Sequence, residues 1–224
     1  MLKLRHAIIV LGLMGVYPAT ASADVSIGIG FPHVSIGINV PTYPRLVRVP
    51  GHPVYYAPQM NTNYFFYDGM YWVFHNDNWY ASTWYNGPWA FVSPYEVPVF
   101  VLRIPVRYYR SPPNYFRHWQ RDDPPRWRDQ WGDDWNKRRH DWDKWDRSSS
   151  PAAAPLPAYQ RQYSRDNYPR QVERQSEYRE QNYRYQPHEP VVRRHYEETK
   201  GKGRGPGMAP APGHGPDQDR DRRY

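Results

Sequence analysis

The chain has 224 residues and no cysteine, so disulfides, Cys-based zinc sites, Fe–S clusters and thiol nucleophiles are all excluded. Aromatic residues make up 17%, led by 21 Tyr and 10 Trp, while 25 prolines and a mean hydropathy of −0.98 predict a small folded core built from rings and valine rather than from leucine and isoleucine. The net charge of +8 is thinly spread: Lys3 and Arg5 supply two, residues 24–110 carry five Lys and Arg against four acids, residues 111–147 nine against eight, and residues 148–224 fourteen against ten. That is a mild bias towards anionic surfaces, not the footprint of a specific nucleic-acid binder.

Residues 1–23 read as a cleaved signal peptide. Lys3 and Arg5 form a positive start, Ala7–Val16 an apolar run, Pro18 a break, and Ala21 and Ala23 the small side chains that a signal peptidase pocket admits. The ten-residue apolar run is too short for a spanning helix, which needs roughly 20 residues. Export, a mature chain starting at Asp24 and no membrane span after cleavage are the expectations.

Residues 24–40 contain a repeat. Val25-Ser26-Ile27-Gly28-Ile29-Gly30 recurs as Val34-Ser35-Ile36-Gly37-Ile38-Asn39, each copy alternating branched apolar with small or polar residues, which predicts a hairpin or two successive strands. Residues 41–58 carry five prolines, which predicts extended or polyproline chain. In residues 63–93, Tyr64–Tyr67 and Met70–Phe74 flank Asp68-Gly69, the signature of a two-residue hairpin turn. His75–Asn78 and Asn86-Gly87-Pro88 are further turns, so Trp79–Tyr85 and Trp89–Val92 complete a meander of short antiparallel strands. Residues 94–110 suggest a short helix from Pro94, then a strand or a helical turn.

From residue 111 the character changes. Trp119, Trp127, Trp131, Trp135, Trp142 and Trp145 recur at helical spacing, with Asp and Arg or Lys between them. This predicts a helix with a Trp packing stripe and a solvated face of i,i+4 ion pairs, started at Pro124-Pro125, capped by Asp122 or Asp123 and weakened at Gly132. Residues 148–224, rich in Ser, Pro, Arg, Gln, Tyr and finally Gly, read as a disordered tail whose Tyr and Arg favour weak, multivalent contacts with anions.

Signals of chemistry are sparse. The nine histidines form no ligand pair at metal-binding spacing, Gly28 and Gly30 open no helix that could hold phosphate, and there is no G-x-S-x-G. With Asp68 used in the first hairpin turn and Asp24 at the new terminus, Asp77 and Glu96 are the acids of the β region that remain, a weak glycosidase-like pair. No catalytic residue, metal or cofactor is assigned. Trp72, Trp79, Trp84 and Trp89 could stack on sugar rings if exposed, or form the core of a domain poor in aliphatics.

The segments Asn63–Val73, NYFFYDGMYWV, and Trp84–Trp89, WYNGPW, give the chain a resemblance to a group of uncharacterised exported proteobacterial proteins with a Tyr/Trp-rich "YYDGxYW…YNGPW…VP" core followed by a Trp/Arg/Asp-rich segment. The likeness spans roughly residues 24–147. It implies a Gram-negative source and a periplasmic or surface location, and carries no activity or site residues.

The fold expected is mainly β: a small antiparallel meander domain over 24–110, a Trp-striped helical segment over 111–147 and a disordered tail over 148–224. The function expected is that of an exported, non-enzymatic cell-envelope protein with a structural or binding role. Two alternatives stand beside it: a module for peptidoglycan or exopolysaccharide using a Trp/Tyr surface, and binding of anionic polymers through the basic tail.

Overall fold

The computed structural model describes residues 33–34, 36–146 and 150–202, with backbone alone at 33–34 and 201–202. The signal segment with Ala21 and Ala23, the first copy of the repeat and residues 203–224 lie outside the described residues. Seven antiparallel strands form one sheet: β1 (His33–Val34), β2 (Val47–Arg48), β3 (Tyr55–Tyr56), β4 (Asn63–Tyr67), β5 (Met70–His75), β6 (Asn78–Ser82) and β7 (Trp89–Val92). Their order is β1-β7-β6-β5-β4-β3-β2, a meander from β2 to β7 with β1 added at the far edge.

The predicted turns set the register. Asp68 and Gly69 both take positive φ, 51° and 86°, and place Tyr67 opposite Met70 and Phe65 opposite Trp72. Asn76 and Asp77, at φ 47° and 59°, repeat the device between β5 and β6 and place His75 opposite Asn78. Asp and Asn tolerate this left-handed conformation better than other side-chain-bearing residues. The second repeat copy departs from expectation. Its strand ends at Val34, which pairs with Trp89, and residues 36–40 continue as irregular chain. The proline-rich stretch contributes the two-residue strands β2 and β3, and β3 lies inside the sheet beside β4 because it is too short to need many donors.

Both faces of the sheet are covered. Phe65, Tyr67, Trp72, Phe74 and Trp79 face one core, which is closed by α1 (Val99–Leu102), by Phe116 and by the tryptophans of α2 (Trp127–Arg138). Tyr64, Phe66, Tyr71 and Val73 face a second core, closed by Val40, Tyr85, Trp89 and Ala154. Strands β4 and β5 are therefore buried almost without interruption, which explains why their sequence reads as continuous aromatics rather than as alternation.

The Trp stripe is a packing face. Trp127 donates to Leu102 O at 2.9 Å and Trp135 to Pro94 O at 3.0 Å, and Trp131 stacks on Trp127 at 4.4 Å between ring centres. The helix is shorter than the stripe and broken at Gly132, where φ 81° and ψ 179° turn the chain between two helical pieces. Its N-cap is Arg126, with no side-chain cap, rather than Asp122 or Asp123. Ion pairs of this segment fall at Lys137–Asp134 and Lys144–Asp141, three residues apart, and at Arg128–Asp133, which spans the break, rather than at i,i+4.

Residues 150–202 correct the expectation of a disordered tail. They form 3-10 turns at Ala158–Gln162 and Arg165–Asn167, then α3 (Val172–Asn182) and α4 (Pro190–Lys202). Composition misleads here because the apolar area comes from tyrosine and the polar side chains bond inward. Gln160, fully buried, accepts from Tyr71 Oη at 2.9 Å and donates to Thr83 O at 2.9 Å. Gln175 donates to Gly87 O at 2.9 Å and Pro169 O at 2.6 Å. Arg179 lies 4.0 Å over the Tyr196 ring and donates to Thr199 Oγ1 at 3.2 Å, joining α3 to α4. The segment over 111–146 likewise packs on the sheet rather than standing apart from it.

Candidate functional site

The four tryptophans singled out in the sequence do not form a surface row. Trp72, Trp79 and Trp84 have no exposed area and Trp89 has 3%. Trp72 and Trp79 face the first core and Trp89 the second. Trp84 sits in the loop after β6 under Tyr159, Tyr163 and Tyr168, with its Nε1 donating to Gln175 O at 3.0 Å. A buried ring of this size removes on the order of 200 Å² from water, roughly 5 kcal/mol before entropy. That outweighs any role as an open platform, and a stacking surface of these four rings is ruled out by their placement.

Two of the buried rings are nevertheless incomplete. The indole N–H groups of Trp79 and Trp89 and the Tyr109 hydroxyl are buried without a hydrogen-bond partner. A buried donor without an acceptor costs on the order of 1–3 kcal/mol, so each calls for a physical reason. Trp79 is enclosed by Phe65, Phe74 and Trp127. Trp89 and Tyr109 each line a cavity.

The Trp89 cavity, about 570 Å³, is formed where three segments converge. The irregular chain after β1 supplies Ile36 and Ile38, the turn before β7 supplies Gly87 and Pro88, the first residue of β7 is Trp89, and the 3-10 turn at 165–167 supplies Arg165 and Asp166. Gly87, at φ 82°, lets the indole lie against its backbone: a side chain there would meet Trp89 Nε1 at 3.1 Å. Arg165 also takes a left-handed conformation, φ 50°, and its N–H donates to Pro41 O at 3.2 Å across the rim. Strain of this kind at a residue with a side chain costs on the order of 1–3 kcal/mol and concentrates at functional positions. Asn86 fixes the floor by accepting from Val40 N at 2.6 Å. Tyr168 braces the turn through its hydroxyl, which donates to Gly87 O and accepts from Asn86 N. Burial holds the Tyr168 phenol well above its ordinary value, so it stays protonated.

The remaining acids are engaged separately. Asp77 accepts from Tyr115 Oη at 2.7 Å and Glu96 pairs with Arg194 at 2.5 Å. Asp68, buried at the first hairpin turn, accepts from Tyr185 Oη at 2.7 Å, His188 N at 3.0 Å and Glu189 N at 2.8 Å. Among the described residues no group of three or more His, Cys, Asp or Glu is placed to hold a metal ion, and no helix is long and apolar enough to cross a membrane.

The chain matches no family model, no curated protein and no solved structure. Sequence reasoning reached Trp89 but not its cavity, because two of the three contributing segments, residues 36–41 and 165–170, carry no site signal of their own. Their joint cue is the unpartnered indole, visible only once the chain is folded.

Proposed function

We propose that this is an exported, non-enzymatic protein of a Gram-negative cell envelope, and that it works by holding an envelope saccharide unit in the Trp89 cavity. The observation that carries this reading is a cavity whose lining mixes Ile36, Ile38 and Pro88 with Asn39, Asn86 and Arg170, beside a Trp89 whose Nε1 is buried against Gly87 without a partner. A sugar unit suits that lining. Its C–H face would lie on Ile36, Ile38 and Pro88, a ring or acetyl oxygen would accept from Trp89 Nε1, and hydroxyls would meet Asn39, Asn86 and Arg170. The export reading draws on Lys3, Arg5, the apolar run and Ala21 and Ala23, and on the resemblance noted above.

Sedimentation with insoluble peptidoglycan at about 1 M salt, where the screening length is about 3 Å, tests the site without interference from surface charge. The protein beginning at Asp24 is expected to co-sediment. Trp89→Phe, which keeps a ring but removes the donor, and Ile38→Trp, which fills the cavity and leaves the indole N–H in place, are both expected to stay in solution with unchanged circular dichroism. A parent protein that remains in solution, or folded variants that sediment as the parent does, would reject the reading.

A further inference from the structure

Another unpartnered donor, Tyr109, belongs to a different place. After α1 the chain makes a 3-10 turn at Val106–Tyr108, runs through Pro112-Pro113, and makes another at Asn114–His118. It then returns so that Val106 N donates to Asp123 O at 3.0 Å and Arg107 N to Arg121 O at 2.9 Å. The closed loop encloses a cavity of about 430 Å³ lined by Arg107, Arg110, Arg117 and Arg121, with Tyr109 and Trp119 among its walls and no acidic residue. Arg107 is paired with Asp122 beside the cavity. Among the described residues no ion pair engages Arg110, Arg117 or Arg121.

Three exposed guanidinium groups gathered on one short loop repel one another and raise the local concentration of anions. Each guanidinium presents a planar fork that takes a carboxylate in a bidentate manner. The aromatic wall adds a second kind of contact. Trp119 is half-buried and stacked on Phe116 at 4.4 Å with 29° between the planes, which fixes the indole and leaves part of it open. Tyr109 is 4% exposed, its hydroxyl is buried without a partner, and burial keeps its phenol protonated well above the ordinary range.

We infer that the loop of residues 106–121 is a binding site for an acidic polysaccharide, whose carboxylates meet Arg110, Arg117 and Arg121 and whose sugar faces stack on Trp119. The site shares no residue with the Trp89 cavity and stands or falls independently of it.

Titration calorimetry of the protein beginning at Asp24 with oligogalacturonate, against neutral dextran oligomers and single-stranded DNA, tests this. Oligogalacturonate is expected to bind, with an affinity that falls by tenfold or more as salt rises from low to physiological levels, as for other polyanions. Arg117→Ala combined with Arg121→Ala is expected to weaken binding at least tenfold, Trp119→Ala about tenfold as for loss of a stacking ring, and Trp89→Phe not at all. Dextran is expected to give no heat. No binding of oligogalacturonate, equal binding of DNA, or an unchanged affinity in the arginine or Trp119 variants would each overturn the inference.

Discussion

Asp68 shows how one side chain can serve two levels of structure. Its backbone makes the hairpin turn and its carboxylate receives the two N–H groups that immediately precede α4, together with the Tyr185 hydroxyl. The two roles can be separated, because Asn takes positive φ readily but offers one acceptor oxygen and places an NH₂ against donors. Asp68→Asn is therefore expected to leave β4 and β5 paired and to cost about 1–3 kcal/mol through loss of the contact to α4. Limited proteolysis should then cut near residues 186–190 faster than in the parent, while a denaturation curve records the loss. An unchanged curve and an unchanged cutting rate would show that the carboxylate holds nothing. Trp84 and Gln175 work on the same principle, each polar group of the C-terminal segment answering a buried group of the sheet domain.

Among the elements, α2 is the one whose sequence and geometry diverge most. The stripe at 127, 131 and 135 follows a helical period, yet Gly132 takes a conformation that only glycine adopts comfortably. Space is not the issue, since nothing lies within 4 Å of where a Cβ would stand. Gly132→Ala is thus expected to destabilise the protein by about 1–3 kcal/mol through backbone strain alone, seen as a lower denaturation midpoint. A midpoint equal to or above that of the parent would mean that the helix can run straight. The hairpins were legible because Asp68-Gly69 and Asn76-Asp77 carry their geometry in two adjacent residues. The packing role of the Trp stripe was legible because it needs only a period. The weak point at Gly132 was legible too, from the glycine itself, whereas the end of β1 at Val34 and the Trp89 cavity were not, since each is decided by neighbours distant in the chain.

Across the whole molecule, the continuous aromatic run of β4 and β5 is the feature that organises everything else. An antiparallel sheet with one solvated face would show alternation, and these strands do not. Two apolar faces require two covering layers, and residues 94–146, with Val191 and Val192 of α4, provide one. The second must come from elsewhere in the chain, and it does, from residues 36–46 and 154–185. Read in that way, the sequence itself argues against a free tail; the low hydropathy of residues 148–202 concealed this because tyrosine, glutamine and arginine bury through hydrogen bonds as well as area. Both proposed sites follow from this layering: the Trp89 cavity opens where the second layer meets the edge of the sheet, and the arginine loop is part of the first.

Amide hydrogen exchange on the protein beginning at Asp24 tests the layered fold most directly. Protection across α3 and α4 approaching that of β4–β6 is the predicted result, since Trp84 and Gly69 bond to Gln175 and Tyr196 of those helices and Asp68 holds Glu189 just before α4. Exchange of residues 172–200 at the rate of free chain, with β4–β6 still protected, would contradict it.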